Sequence, residues 1–221
     1  MTEYALQLNV EDQLTRIVYI DENFSREARS MLYHAYLEEP SIRYLMDDSK
    51  PNYSQRVRAL IRELIRVHFA ENQPVIGVMR GERLAGFAFV STPDHQLELF
   101  ESLRWRCRLM LSVGLQAAER FINYRKEVAK ILADKRLYRV PLVGINPKWQ
   151  HQGYGRLLME AVDSLCETDQ NSEGVVLDTG NSRYLSFYSS LGYKELGSIT
   201  VGEVTETVLF RPNRDPQLDE A

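Results

Sequence analysis

Few features of the sequence would direct the chain to a membrane or to an oxidising compartment. Its 221 residues include two cysteines, Cys107 and Cys166, whose spacing fits neither a metal site nor a redox pair. We expect both to be buried free thiols in a reducing cytoplasm. The longest apolar runs, such as LMLSVGL, are too short to span a bilayer. The segment MTEYALQLNVEDQL lacks the apolar core of a signal peptide, which also predicts a cytoplasmic protein.

Positive charge is not in excess either. Lysine and arginine number 27 against 31 acidic residues, which gives a net charge of −4 and an isoelectric point near 5.7. Such a chain has no global field to attract nucleic acid or an anionic membrane, so neither is an expected partner. Hydrophobic residues make up 44% and charged residues 26%, which is typical of a globular protein with a sizeable core.

The first half of the chain alternates between strand and helix patterns. LTRIVYID predicts a strand, and an amphipathic helix follows from Ser25 to near Pro40. A second helix has its apolar face between Val57 and Phe69, and PVIGVMR with LAGFAFVS predicts a hairpin. Two more helices are expected in an insertion at about residues 92–136. The apolar stripe expected for the first consists of Leu99, Phe100, Leu103, Cys107, Met110 and Leu111.

The second half completes a mixed α/β pattern. LYRVPLVGI is a nearly continuous apolar strand, for which we expect burial on both faces. A helix, the strand GVVLD, a short helix in YLSFYSSLG and a final strand pair follow. This order predicts one domain over residues 1–212 with a mixed sheet, and a polar tail over residues 213–221.

A glycine-containing turn lies where LYRVPLVGI gives way to the next helix. It carries Gln150, Gly153 and Gly155 in the run QHQGYG. Glycines at a strand-to-helix turn let backbone N–H groups point outward at the helix N-terminus, where the helix dipole also favours an anion. The turn therefore predicts a phosphate or pyrophosphate site.

Three phosphate ligands are compatible with a turn of this kind. A triphosphate loop would need Gly-Lys-Ser/Thr, and the sequence has no such run. A dinucleotide site would have a third small residue where Leu158 stands, although Asp178 lies at roughly the distance of a ribose-binding acid. The third ligand is coenzyme A.

The coenzyme A alternative is supported by a family resemblance. Gln150-x-x-Gly153-x-Gly155 after an apolar strand resembles the acetyl-coenzyme A motif of the GNAT family of N-acetyltransferases, and LDTGNSRYLSFYSSLGY resembles its second signature. The layout, with STP after the third strand and the helical insertion, is similar to the puromycin N-acetyltransferase branch. The resemblance implies a GNAT fold, with a mixed central sheet flanked by helices and a two-helix insertion between strands 3 and 4. It also implies acetyl-coenzyme A as co-substrate and no metal.

The resemblance also assigns roles to residues. It implies that the backbone of Val143, Gly144 and Ile145 pairs with the pantetheine arm, and that Asn181 hydrogen-bonds near that arm. It further implies that the pyrophosphate is held by the turn, that is, by Gln150, His151, Gln152, Gly153, Tyr154, Gly155 and Arg156. The Arg156 side chain would add a charge-assisted bond to a phosphate.

Tyr188 is the expected proton donor. When an amine attacks a thioester, the departing thiolate needs a proton, and a phenol with a pKa of about 10 is protonated at neutral pH. Neither cysteine falls in a site motif, so the reaction is expected to be direct attack without a covalent acetyl-enzyme.

The general base is not evident in the sequence. The strand LYRVPLVGI carries no acid, and the sequence does not rank the candidates Glu38, Glu39, Glu98, Glu101 and Asp178. Because an amine with a pKa of about 8 is neutral far more often at pH 7 than one of about 10.4, the lack of a visible base favours a low-pKa amine.

The segment RWRCR (residues 104–108) is interpreted as a polar helix flank with core anchors, and Trp105 and Tyr124 are candidate pocket walls.

These observations predict an acetyl-coenzyme A-dependent N-acetyltransferase whose partner is a small-molecule amine, present as a monomer or a homodimer. Two alternatives stay open: an enzyme that acetylates peptide or protein amines, and a module that binds acyl-coenzyme A without catalysis. A dinucleotide-dependent oxidoreductase is a more distant third.

Overall fold

The computed structural model describes residues 15–94, 103–132 and 135–213, and in these residues a seven-stranded mixed sheet forms the centre of the molecule. Its order is β1-β2-β3-β4-β5-β7-β6, with β4 and β5 parallel and the other neighbours antiparallel. The strands are β1 Thr15–Tyr19, β2 Val75–Arg80, β3 Arg83–Ser91, β4 Leu137–Ile145, β5 Gly174–Thr179, β6 Lys194–Val201 and β7 Val204–Pro212.

Helices cover both faces of the sheet. They are α1 Ser25–Tyr36, α2 Pro40–Leu45, α3 Tyr53–Ala70, α4 Leu103–Val113, α5 Leu115–Ile131, α6 Tyr154–Glu167 and α7 Leu185–Ser189. Helices α1 to α5 pack on the face that presents Phe87 and Phe89 of β3, and α6 packs on the face that presents Ala88 and Val90. This alternation of β3 side chains is what a strand buried on both faces requires.

The two helices of the insertion lie between β3 and β4, as the sequence predicts. Gly114 separates α4 from α5 with a φ of +89°, a conformation that side chains other than glycine rarely adopt. Of the expected stripe, Leu99 and Phe100 lie outside the described residues, and Leu103 and Leu111 are exposed, so the predicted apolar face of this helix is wrong.

Pro40 begins a helix rather than only ending one. It occupies the first turn of α2, where a missing N–H costs nothing because that donor has no acceptor within the helix. The sequence pattern did not predict this short helix, and the six residues of α2 place Ile42 and Leu45 in the core.

Strand β4 differs from the expectation of burial on both faces. Its buried residues alternate with half-buried ones. Phe89 pairs with Leu142 whereas Ser91 pairs with Arg139, so β4 contains one extra residue near Pro141, which has no N–H to donate to the sheet. Pairing of β4 with β5 covers only residues 137–139 and 174–176, and beyond this point the two strands separate.

The two cysteines differ in exposure. Cys166 is buried as expected, but Cys107 is exposed, so that expectation is wrong. The buried face of α4 is formed by Trp105, Leu109 and Val113 at intervals of four residues, and Cys107 lies between them on the outer face. No helix in the described residues is long and apolar enough to cross a membrane.

Candidate functional site

A cavity of about 720 Å³ opens where β4 and β5 separate. Its walls come from the second half of β4, the end of β5, the turn before α6, the segment Arg183–Tyr188, and helices α1, α2, α3 and α5. One end lies at the glycine turn and the other at a group of buried carboxyls. The cavity therefore joins the predicted phosphate site to a second polar site.

The glycine turn forms the outer end of the cavity. His151 has a φ of +61° and Gly153 a φ of +87°, and these two left-handed residues reverse the chain into α6. The first amides of α6 have no acceptor within the helix and are available to an anion. A Cβ on Gly155 would lie 3.3 Å from Phe187 Cζ, so glycine allows the close approach of α6 to α7.

Most of the side chains predicted for the turn line the cavity, namely those of Gln150, His151 and Arg156, together with Gly153 and Gly155. Gln152 is not among the lining residues, because its Nε2 donates to the Lys148 carbonyl at 3.2 Å. The Tyr154 side chain is buried in the core between α6 and the sheet, so only its backbone can face an anion.

Two arginines lie at this end of the cavity. Arg156 Nη2 donates to Ser190 Oγ at 2.9 Å, which holds the guanidinium beside α7. Arg183, which the sequence did not predict, also lines the cavity. Their positive charges suit the phosphate groups expected here.

The free edge of β4 runs along the middle of the cavity. Asn146 N–H donates to the Ala85 carbonyl at 2.8 Å, so by alternation the N–H groups of Val143 and Ile145 point away from β3 into the gap. Val143 and Ile145 line the cavity, whereas Gly144 faces the opposite side, where a Cβ would lie 3.2 Å from Phe87 Cζ.

Tyr36, at the end of α1, is a site residue that the sequence did not reveal. Its hydroxyl accepts a hydrogen bond from Val143 N–H at 3.3 Å inside the cavity. Burial raises the pKa of this phenol well above its usual range, so it is protonated at neutral pH and keeps a proton to donate.

Tyr188 lines the cavity between the turn and the carboxyls. Its ring packs edge-on against Phe187 and Tyr193, with centroids 5.1 and 5.8 Å away. Burial, with smaller contributions from Tyr184, Glu39 and Asp178, raises the pKa of the Tyr188 phenol well above its usual range. The group is therefore protonated at neutral pH, as a general acid must be.

Asn181 does not line the cavity. Its side-chain oxygen accepts a hydrogen bond from Arg183 N–H at 3.2 Å and caps the short 3-10 helix Ser182–Tyr184. In this position it shapes the turn after β5, and a direct contact with the pantetheine arm stays a prediction.

Three carboxyl groups form the inner end of the cavity: Glu39, Asp178 and Glu206. Tyr124 donates from its hydroxyl to Asp178 and lies 3.4 Å from Glu206, while Ser41 donates to Glu206. Two of these acids were among the candidate bases. Of the others, Glu38 is exposed beside Arg43, and Glu98 and Glu101 lie outside the described residues.

Glu206 is the acid that the sequence analysis missed. In β7 it shares a face with Val204, Val208 and Phe210, and a charged residue on an otherwise apolar strand face was the available signal. Burial and the neighbouring Asp178 raise the pKa of Glu206 to about 9, so this carboxyl holds a proton at neutral pH.

Glu39 is held by the turn after β5. Its Oε1 accepts from Gly180 N–H at 3.0 Å and from the Thr179 hydroxyl at 3.3 Å. Burial raises the pKa of Glu39, and these two donors oppose the rise.

Of the two aromatic pocket walls proposed from the sequence, Tyr124 lines the cavity and Trp105 does not. Trp105 is buried between helices beside Phe121, with ring centroids 6.5 Å apart, so its assignment as a wall is wrong. In RWRCR, Arg108 Nε lies 3.4 Å from Glu63 Oε2 of α3 and Trp105 anchors the helix in the core, but Cys107, the other expected anchor, is exposed.

Comparisons with known proteins match part of the chain to a family model and relate its fold to solved structures. Residues 114–195 match the family model for the acetyltransferase (GNAT) domain. No curated protein matches the chain. A structure from Corynebacterium glutamicum, described as histone acetyltransferase HPA2 and related acetyltransferase, is similar with a TM-score of 0.68 at 17% identity, over 91% of this chain and 98% of that chain.

Two further structures share the fold at low identity. The polyamine N-acetyltransferase of Drosophila melanogaster has a TM-score of 0.61 at 14% identity, over 89% of this chain and 98% of that chain. The ribosomal-protein-S18-alanine N-acetyltransferase of Escherichia coli has a TM-score of 0.51 at 13% identity, over 91% of this chain and 95% of that chain. Residues 114–195 therefore match a GNAT acetyltransferase domain, and the described residues have the GNAT fold.

Proposed function

We propose that the protein transfers an acetyl group from acetyl-coenzyme A to the primary amine of a small molecule by direct attack. The observation that carries the proposal is the single cavity in which the glycine turn, the free edge of β4, Tyr188 and the buried carboxyls meet. Such a cavity can hold the cofactor arm and the amine end to end. We further propose that residues 1–212 form one domain and that the protein is cytoplasmic. Its likeness to the puromycin N-acetyltransferase branch is one of layout only.

Each part of the cavity has a role in this reaction. The turn from His151 to Arg156 would hold the pyrophosphate, and the edge of β4 at Val143 and Ile145 would pair with the pantetheine arm as an added strand does. Val143 N–H, with the nearby Tyr36 hydroxyl, would stabilise the negative charge that develops on the thioester oxygen.

Two proton transfers complete the reaction. Asp178 and Glu206 would act as a pair that accepts the proton of the amine, because one member of the pair already holds a proton at neutral pH and the other can take one. Tyr188 would then donate its proton to the departing thiolate. Since carboxyls face the amine end, the lack of a base in LYRVPLVGI no longer favours a low-pKa amine.

A small molecule fits better than a peptide because helix α5 covers the amine end. Phe121, Tyr124 and Arg125 of this helix all line the cavity, and they would have to move to admit a chain through that side. The neighbour from Drosophila acts on polyamines and the one from Escherichia coli on a ribosomal protein, so the fold alone is compatible with either class.

The test is release of coenzyme A thiol from acetyl-coenzyme A across small amines and peptides. We expect transfer to small amines, and a loss of about 100-fold or more in kcat for Tyr188→Phe. Tyr19→Phe is the matched control, because Tyr19 is exposed on the edge strand β1. If Tyr188→Phe turned over like Tyr19→Phe, or if no amine gave thiol release, a module that binds acyl-coenzyme A without catalysis would be the better description.

A further inference from the structure

The amine end of the cavity has an extended apolar wall. It is formed by Ile42 and Leu45 of α2, by Val57, Leu60 and Leu64 of α3, and by Phe121 of α5. Val57 and Leu60 have almost no accessible surface and back the wall from the core, so more of its accessible surface comes from Ile42 and the half-buried Leu64. Binding of a ligand that covers this wall is favoured because the ligand buries its own apolar surface.

The opposite side carries little net charge. Arg125 Nη1 lies 3.9 Å from Asp178 Oδ1, so the positive charge of Arg125 offsets the negative charge of Asp178. The raised pKa of Glu206 leaves that carboxyl neutral at pH 7, and the phenols of Tyr36, Tyr124 and Tyr188 are neutral as well. Glu39, held by Thr179 and Gly180, remains as the acid without a cationic partner among the cavity-lining residues. With Asp178 offset by Arg125, the acids at this end therefore leave at most about one negative charge, that of Glu39, to balance an ammonium group.

We propose that the acceptor is an amphipathic monoamine, with one primary ammonium at the carboxyl side and an apolar body against α2, α3 and Phe121. This inference rests on the proposed function and names its substrate class. A second ammonium on the same molecule would be buried against the aliphatic wall without a counter-charge, which is unfavourable. A polyhydroxylated amine would leave its hydroxyls unpaired on the same wall.

The test uses two matched sets of amines with the thiol-release assay. In the series from propylamine to heptylamine the reacting group is constant, and only the apolar length changes. Burial of each methylene contributes enough to raise kcat/KM about fourfold per carbon until the wall is covered. Heptylamine and 1,6-diaminohexane have the same chain length but differ in a terminal methyl or ammonium, and we expect the diamine to be about 100-fold worse.

A substitution in the wall should reverse that preference. Leu64 is half-buried and lines the cavity, so Leu64→Glu would place a counter-charge where the second ammonium of the diamine lies. We expect it to shift the heptylamine-to-diamine ratio toward the diamine by about tenfold or more. Gln55→Glu, exposed on the same helix and outside the cavity, should leave the ratio unchanged. Binding of coenzyme A, followed by calorimetry, shows whether each variant is folded, and the shorter Leu64→Asp, which also supplies a counter-charge, replaces Leu64→Glu if the latter is not.

Several results would overturn the inference alone: a flat alkylamine series, a diamine as good as heptylamine, or efficient transfer to peptides but not to alkylamines. Failure of coenzyme A to bind, or absence of thiol release with every amine and peptide, would instead overturn the proposed function.

Discussion

The Tyr36 hydroxyl accepts a hydrogen bond from Val143 N–H at the free edge of β4. Tyr36→Phe would remove the donor that faces the developing oxyanion while leaving the ring in place. Loss of one such donor costs about 100-fold or more in kcat. We therefore expect kcat to fall by about that factor in steady-state assays, with a small change in KM for acetyl-coenzyme A.

The control for Tyr36 is Tyr53→Phe. The Tyr53 hydroxyl donates to the Leu37 carbonyl at 2.6 Å and does not line the cavity, so this variant also loses a hydrogen bond. Tyr53→Phe should lower the melting temperature without lowering kcat. Equal losses of kcat in the two variants would assign Tyr36 a structural role only.

Glu206 makes a pH-dependent contribution to stability with a definite sign. Its pKa is about 9 in the folded protein against the ordinary 4.5 of a glutamate, so the folded state binds more protons between these two values. The free energy of unfolding therefore falls as pH rises through that window. Glu206→Gln cannot ionise, and it should gain stability relative to the wild type as pH rises.

Melting curves from pH 5 to 9 would measure this effect. We expect the difference in melting temperature between Glu206→Gln and the wild type to shift in favour of the variant by on the order of 10 °C across the range. A difference that stayed constant with pH would show that Glu206 is ionised in the folded protein at neutral pH, contrary to the proposed proton-sharing pair.

At the scale of elements, the turn before α6 can be tested with a matched pair of glycines. Gly153 and Gly114 have φ values of +87° and +89°, and an added Cβ at either would meet no atom within 4 Å in the described part of the chain. Alanine at each position should cost about 1–2 kcal/mol through backbone strain alone. Gly114 lies between α4 and α5, away from the cavity, whereas Gly153 orients the amides of the predicted pyrophosphate site.

The expected difference is therefore in binding and not in stability. Gly153→Ala should raise KM for acetyl-coenzyme A by about tenfold, because the strained turn redirects its N–H groups. Gly114→Ala should lose similar stability in urea titrations and leave that KM unchanged. If both variants kept the wild-type KM, the pyrophosphate would not be held by this turn.

The elements that the sequence predicted best are those with a local period. The apolar face of α3 and the hairpin of β2 and β3 follow from spacings within one segment. Helix α2 was missed because Pro40 can end one helix or begin the next, and the short segment that follows has no repeated period. The exposure of Cys107 depended on the rotation of α4, which is fixed only by packing against α3 and α5.

The candidate site was only partly predictable for a related reason. The turn and Tyr188 lie in one stretch of chain with recognisable signatures, but the acid pair needs strand order. Strand β7 inserts between β5 and β6, which brings Glu206 beside Asp178. Tyr36 reaches Val143 from a segment 107 residues earlier in the chain. Contacts between residues this far apart in the chain depend on the whole topology, so no spacing pattern in the sequence predicts them.

At the scale of the whole molecule, the separation of β4 from β5 suggests that coenzyme A stabilises the fold. The two strands pair only over residues 137–139 and 174–176, so β1–β4 and β5–β7 meet through a short parallel contact. A ligand bound along β4 and across to α6 and α7 would contact both halves of the sheet and would not bind the unfolded chain. At about 100 times its Kd, such a ligand stabilises by about 2.7 kcal/mol.

For a chain of 221 residues this corresponds to a rise in melting temperature of about 5–10 °C. Thermal melts with increasing coenzyme A would measure it, with adenosine as a control that lacks the pyrophosphate and the pantetheine arm. Gly153→Ala should need about tenfold more coenzyme A for the same rise, whereas Gly114→Ala should follow the wild type. Equal stabilisation by adenosine and coenzyme A would place the ligand outside the gap between β4 and β5, because only the pantetheine arm is long enough to lie along β4.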